Sequence, residues 1–281
     1  MRAAVLGSPI AHSLSAVLHT AAYTELGLAG WSYQAIECTA DGLPGLLAGC
    51  GEDWAGLSLT MPLKRAVLPL LDKVDPLAAD VGGANTVTFA GRVSRGHNTD
   101  VPGMIAALAA AGVTAADISA SGPALILGGG ATACSALAGL RGLGAAGATV
   151  AVRDAARAAD LLAAADRLGM AVRLTAFGEE EHVDRGPGLL ISTVPAGAAD
   201  GYAARMLRAG GAPMAVLDAV YHPWPTRLAA AAATAGAVTV SGFELLLHQA
   251  GPQVELMTGR PAPLEVMRAA GLAELARRAA R

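Results

Sequence analysis

The stretch GLSLTMPLKR, Gly56 to Arg65, holds one of only two lysines in a chain that otherwise carries its positive charge on arginine. An arginine stays charged under all ordinary conditions, whereas a lysine ammonium can be tuned to release its proton, so Lys64 is a candidate for proton transfer. Asp100, closing GHNTD, is a suitable partner. Near a bound hydroxyl, the amine moves the proton while the carboxylate orients the hydroxyl and tunes the amine. Hydroxyl and amide side chains lie in nearby stretches: Ser13 and Ser15 in AHSLS, Ser58 and Thr60 in SLT, Asn85 and Thr86 in ANT. Such a set suits a small polyhydroxylated ligand. Each residue also has a local explanation, as a solvated lysine, a helix-capping aspartate or serine, or a strand threonine. Only convergence in space separates the two readings.

A second chemistry is written in LGGGATAC, which matches GxGxxA at Gly128, Gly130 and Ala133 where a strand hands over to a helix. The first glycine permits a tight turn, the second lets backbone approach a pyrophosphate, and the small third residue allows close packing of helix on strand. The next strand ends in VAVRDAAR. Arg153 stands where a dinucleotide fold reads the ribose, and Arg157 lies one turn beyond; arginine there pairs with the 2′-phosphate of NADP. Asp154 opposes this unless it points away or caps the following helix. A nicotinamide in this half calls for a substrate and a proton-transfer group in the other, since moving a hydride from an alcohol also moves a proton.

These residues need a scaffold, and 281 residues suffice for two domains. The composition is 53% hydrophobic, 15% charged and 4% aromatic, which suits aliphatic helix-on-sheet packing. A net charge of −3 without a basic block argues against nucleic acid or an anionic membrane as partner. Ile118 to Leu140 is free of charge, but Pro123, the run Gly128 to Gly130 and several hydroxyls make it a strand, a turn and a helix rather than a membrane span. The N-terminus holds no secretory apolar region, so the expected location is cytoplasmic. Cys38, Cys50 and Cys134 lack metal or redox spacing, and the histidines form no metal motif, so ordinary thiols and no metal are expected.

Alternating strand and helix signals predict an α/β fold with a largely parallel sheet in each half. In the first half, strands are expected at AAVLG, WSYQAIEC and WAGLSLTM, a helix over 15–26, and a hairpin around Ala90 and Gly91. A helix over 101–111 leads to the turn-rich DISASG. Five strands follow: ALIL, ATVAVR, GLLISTVP, MAVLDAV and VTV. The last two segments, 242–258 and 262–278, read as helices with nothing left in the second sheet to pair with, so they return to the first domain. The expected domains are 1–101 with 242–281, and 102–241.

Taken together, GSPIAHSLS, SLTMPLK, GGANTV, GHNTD, GGGATA, ISTVP, LDAVYHPWPT and SGFELLLHQA make the chain resemble the shikimate dehydrogenase family almost end to end. The resemblance implies an α/β substrate domain completed by the C-terminal helices, a Rossmann-type doubly wound NADP domain, and an active site in the cleft between them. The implied reaction is reversible NADP-linked reduction of 3-dehydroshikimate to shikimate, in chorismate and aromatic amino-acid biosynthesis. Its catalytic positions fall on Lys64 and Asp100. Its substrate positions fall on Ser13, Ser15, Ser58, Thr60, Lys64, Asn85, Asp100, Tyr221 and Gln249. Its cofactor positions fall on Gly128, Gly129, Gly130, Ala131, Thr132, Arg153, Arg157, Thr193, Ala219 and Gly242. The expected protein is a monomer or homodimer without nucleic-acid or membrane partners. Ser58 stands where many members have asparagine, and Ala131 where a further glycine is common. A relative acting on quinate or an amino-substituted analogue, with NAD, is the close competitor; a non-catalytic dinucleotide sensor and a folate-linked dehydrogenase are more distant ones.

Overall fold

The computed structural model describes residues 1–179 and 187–280, apart from the side chain of Arg157. The chain divides into two compact units, Met1–Gly103 with Leu246–Arg281, and Met104–Leu245. Chain order begins with β1 (Arg2–Gly7), α1 (Ser15–Glu25), β2 (Ser32–Glu37), α2 (Leu43–Ala48), β3 (Trp54–Leu59) and α3 (Leu63–Ala66). Next come β4 (Lys73–Val74), α4 (Pro76–Val81), β5 (Thr86–Ala90), β6 (Val93–His97), α5 (Asp100–Ala110) and α6 (Ala115–Ala120). Then follow β7 (Ala124–Leu127), α7 (Ala131–Gly142), β8 (Gly147–Val152), α8 (Ala159–Leu168), β9 (Ala171–Ala176) and β10 (Leu189–Ser192). The order closes with α9 (Asp200–Ala209), β11 (Ala215–Asp218), α10 (Arg227–Thr234), β12 (Val238–Ser241), α11 (Gly242–Thr258) and α12 (Leu264–Ala279).

The sheet of the first unit runs β2-β1-β3-β5-β6-β4. Its first three strands are parallel, as the alternation of strand and helix predicts. The hairpin β5–β6 then reverses direction, so β3 pairs antiparallel with β5 and the sheet is mixed rather than largely parallel. β3 is buried along its whole length, as a central strand covered on both faces must be. Leu6, Leu57, Leu59 and Val87 pack there against Leu43 of α2 and Leu63 of α3, which fixes α3 directly beyond the end of β3. α12 packs on α1, so the C-terminal segment completes this unit.

The sheet of the second unit is parallel throughout, in the order β12-β11-β10-β7-β8-β9. Counted within the unit this is the doubly wound order 3-2-1-4-5-6, whose direction of winding reverses between β7 and β10. Leu125, Leu127, Leu190 and Val216 form its core with Tyr202 and Met206 of α9 and Leu228 of α10. The charge-free window 118–140 resolves into the end of α6, β7, a glycine turn and α7. Among the described residues no helix is long and apolar enough to cross a membrane. Cys38, Cys50 and Cys134 form no disulfide, and burial pushes the Cys50 thiol up to about 11.

Candidate functional site

In the first unit, five backbone links bring separate segments to one place. Thr60, just past β3, bonds through its N–H to the Leu6 carbonyl, and Ser8 N–H bonds to the Met61 carbonyl. The chain therefore leaves β1 and β3 side by side at their C-terminal ends, where parallel strands present ligands. The approach is close: a Cβ on Gly7 would lie 2.9 Å from the Met61 carbonyl oxygen and run into the Thr60 methyl. From the other side, Asn85 at the head of β5 accepts from Leu59 N–H at 2.7 Å and donates to the His97 carbonyl at 3.0 Å, while Ala84 N–H bonds to the Lys64 carbonyl at 2.8 Å. Asn98 holds the start of α5, donating to the Gly83 carbonyl at 2.8 Å and accepting from Val101 N–H at 3.2 Å. These contacts place Asp100, in the first turn of α5, against Lys64 on α3.

Lys64 Nζ donates to Asp100 Oδ2 at 2.6 Å, with side-chain exposures of only 15% and 8%. The other carboxylate oxygen, Oδ1, accepts from Asn85 Nδ2 at 2.9 Å. The bond from Thr99 N–H, which can only donate, is one of those that orient the Asn85 amide, reaching its Oδ1 at 2.8 Å. Gln249 is fixed likewise. Its Nε2 donates to the Leu246 carbonyl, one turn back in α11, which leaves Oε1 facing Asn85 Nδ2 at 3.1 Å. Four of the sequence-predicted residues, Lys64, Asn85, Asp100 and Gln249, thus form one bonded cluster.

The remaining predicted residues of this unit lie on the neighbouring segments. Ser15 opens α1 and is buried, Ser13 is half-buried with its Oγ accepting from Ser15 N–H, and Thr60 is half-buried four residues before Lys64. Ser58 is different. Its hydroxyl is turned inward, taking a hydrogen bond from Tyr33 at 2.6 Å and giving one to Gln253 at 2.8 Å. Its one proton is committed within the protein, so the short side chain serves the core rather than standing in for a longer asparagine. Sequence reasoning assigned no role to Thr99 or Gln253; the spacing of Gln253, four residues after Gln249 on one helix, was the available signal.

In the second unit, Gly128 follows β7 with φ of +108°, a left-handed conformation that disfavours any side chain. Its position leaves no room either: a Cβ would lie 2.5 Å from Thr193 Oγ1, itself bonded to the Leu127 carbonyl at 2.9 Å. Gly128 and Thr193 thus sit at the ends of β7 and β10, where the winding of the sheet reverses, the place where doubly wound folds bind ligands. A Cβ on Gly129 would press on Val152 at 3.0 Å, while one on Gly130 would meet nothing within 4 Å. Gly130 precedes α7 with no side chain capping the helix, so the first amides of α7, including those of Ala131 and Thr132, remain available to an anion. Space at Gly130 and free amides beside it fit a dinucleotide pyrophosphate. Arg153 is exposed just past β8. Asp154 turns away to accept from Ala156 N–H at 3.0 Å, capping the next turn, and so does not oppose a phosphate beside Arg153. The side chain of Arg157 lies outside the described residues.

Gly242 opens α11 pressed on the β11 loop, where an added Cβ would run into the Ala219 carbonyl oxygen. Asp218 anchors the same loop, accepting from the Thr226 hydroxyl at 2.7 Å; burial raises its carboxyl above the ordinary range. Tyr221, between them, is half-buried.

Comparison with known proteins places these features in a family. Residues 5–87 match the model of the shikimate dehydrogenase substrate binding domain, and residues 242–270 match that of the shikimate 5′-dehydrogenase C-terminal domain. Shikimate dehydrogenase (NADP(+)) of Halobacterium salinarum is 39% identical over 275 residues, covering 96% of this chain and 98% of its own. The crystal structure of Mycobacterium tuberculosis shikimate dehydrogenase superposes with a TM-score of 0.85 at 43% identity, covering 97% of this chain and 99% of the other. Shikimate 5-dehydrogenase of Thermus thermophilus, solved in complex with NADP(H) and shikimate, gives a TM-score of 0.82 at 32% identity, with 97% and 99% covered.

Proposed function

We propose that this chain, which belongs to the shikimate dehydrogenase family, catalyses the reversible NADP-linked reduction of 3-dehydroshikimate to shikimate. The observation that carries the reading is the contact between Lys64 Nζ and Asp100 Oδ2 at 2.6 Å, with Asn85 on the second carboxylate oxygen. A solvated lysine and a capping aspartate have no reason to meet in a half-buried position. An amine poised to exchange a proton with a hydroxyl does.

Lys64 gives its proton to the carbonyl oxygen of 3-dehydroshikimate in the reductive direction and receives it from the hydroxyl of shikimate in the other. Asp100 holds the amine in place through Oδ2 and orients the reacting hydroxyl. Asn85 keeps that carboxylate from turning, and Asn85 and Gln249 offer amide groups to further hydroxyls. Ser13, Ser15, Thr60 and Tyr221 are the proposed remaining substrate contacts, the two serines taking the carboxylate. NADP, when bound, supplies or accepts the hydride. The turn Gly128 to Thr132 with Thr193 is proposed to hold its pyrophosphate, Arg153 and Arg157 its 2′-phosphate, and Ala219 and Gly242 the space beside its nicotinamide. Residues 1–101 with 242–281 are proposed as the substrate-binding part and 102–241 as the NADP-binding part. The protein is proposed to work in the cytoplasm as a monomer or homodimer, with small molecules as its only ligands.

The test is a set of steady-state rates with shikimate and with quinate, each with NADP and with NAD. The highest kcat/KM is expected for shikimate with NADP. A tenfold preference for quinate or for NAD would replace this reading by that of the quinate-type relative, a difference of about 1.4 kcal/mol at the transition state.

A further inference from the structure

We infer that Gln253 and Thr86 are positioning residues for the Lys64–Asp100 pair, acting through the side-chain amide of Asn85. The inference rests on the proton-transfer role proposed for that pair. Both residues are buried, with Gln253 only 1% exposed. Gln253 Nε2 donates to the Asn85 backbone carbonyl at 3.3 Å and to Thr86 Oγ1 at 2.9 Å, while its Oε1 accepts from Ser58 Oγ at 2.8 Å. A backbone carbonyl only accepts, so the amide of Gln253 has a single workable orientation.

The direction of every following bond is then set. The Thr86 hydroxyl, already accepting from Gln253, has its one hydrogen left for Asn85 Oδ1 at 2.9 Å. Thr99 N–H fills the same oxygen from another side at 2.8 Å. Turning the Asn85 amide over would set its NH2 against both of these donors. Nδ2 therefore stays on Asp100 Oδ1 at 2.9 Å, and Oδ2 is left to Lys64. Buried donors and acceptors left unpaired are costly, so the polarity of the chain is enforced along its whole length.

The far end of the chain agrees. His19 is buried beside Gln253, stacked on Tyr33 at 4.0 Å between ring centres, with its Nε2 3.2 Å from Gln253 Oε1. Burial pushes its imidazole down to about 4, so the ring is neutral, and with the Gln253 amide oriented by the Asn85 carbonyl it is Nε2 that carries the hydrogen. With Ser58, which takes its own hydrogen bond from Tyr33 at 2.6 Å, two donors on one side oblige Gln253 to present its NH2 on the other.

The test uses the full chain with four substitutions: Thr86→Val, Thr86→Ser, Gln253→Leu and Tyr33→Phe. Two readouts are taken, the shikimate and NADP kinetics, and the solvent exchange of the Asn85 side-chain NH2 in amide-resolved NMR. In Thr86→Val and Gln253→Leu, kcat is expected to fall about tenfold with the shikimate KM within about twofold, and the Asn85 NH2 to lose its protection. Thr86→Ser keeps the hydroxyl and is expected to retain both. Tyr33→Phe leaves the donor arm of Gln253 intact and is expected to keep kcat within about twofold. Unchanged kcat, or persistent protection of Asn85, in a cooperatively melting Thr86→Val would overturn the inference, and that variant alone decides should Gln253→Leu not fold. A wild type that does not oxidise shikimate would instead overturn the proposed activity, and the NH2 exchange would then decide the positioning on its own.

Discussion

Replacing Asp100 with Asn changes almost nothing in shape and removes one acceptor from a site that uses two. Oδ2 receives Lys64 Nζ at 2.6 Å and Oδ1 receives Asn85 Nδ2 at 2.9 Å, and both partners are donors. An asparagine offers one oxygen and one NH2, so whichever way it turns, a donor faces a donor. If the oxygen goes to Lys64, the NH2 meets the amide of Asn85, which Thr99 and Thr86 hold in place. If the oxygen goes to Asn85, the NH2 meets an ammonium. Losing the charge-assisted bond costs about 1.5–3 kcal/mol, and a buried donor without an acceptor about 1–3 kcal/mol. About 3 kcal/mol of this expressed in the transition state lowers kcat/KM about a hundredfold. The assay is the initial rate of NADP-linked shikimate oxidation, with a thermal melt to show that the variant is folded. A folded Asp100→Asn enzyme within about threefold of wild-type kcat/KM would refute the two-acceptor reasoning.

Other consequences follow from the same coordinates. His19 is neutral in the folded chain, with its pKa lowered from 6.5 to about 4, so its contribution to stability is complete above pH 6.5 and is lost as pH falls toward 4. Between pH 7.5 and 5.0 that loss amounts to about 2 kcal/mol, and urea unfolding of His19→Leu should show a pH dependence shallower by that amount. In Gly242→Ala the new methyl runs into the Ala219 carbonyl oxygen, backbone that gives little, and the expected loss of stability is about 1–3 kcal/mol by urea unfolding. Arg153→Ala should raise the KM for NADP about tenfold or more and leave that for NAD within about twofold, since only the 2′-phosphate distinguishes them.

The sequence displayed the strands of both sheets because buried strands such as ALIL and AAVL are unbroken apolar runs, and the ends of α11 because Gly242 and Gly259 bracket it. What escaped was short or marginal. β9, at an edge, exposes every second or third residue and so lacks an apolar run, and β4 has two residues. α6 reads as a turn from its DISASG end, although Thr114 and Asp117 form a reciprocal cap at its start, a signal present in TAAD. α9 has a single apolar stripe of Tyr202, Ala203 and Met206 among charged residues. The two units divide within α5 and α11, where an uninterrupted helix carries no composition change to mark a boundary. In the site, Lys64, Asn85, Asp100 and Gln249 were legible by type, since lysine, carboxylate and amide have few roles in an aliphatic chain. The polar residues behind them were not. Gln253, His19 and Tyr33 read as members of amphipathic elements, and only the fold shows that they meet.

Lys64 is proposed to move the proton at a bound hydroxyl. The most direct test of this role compares wild type and Lys64→Ala for NADP-linked turnover of shikimate and, separately, for shikimate binding. The account predicts turnover reduced at least about a hundredfold with binding changed only modestly. An unchanged turnover in the folded variant would contradict it.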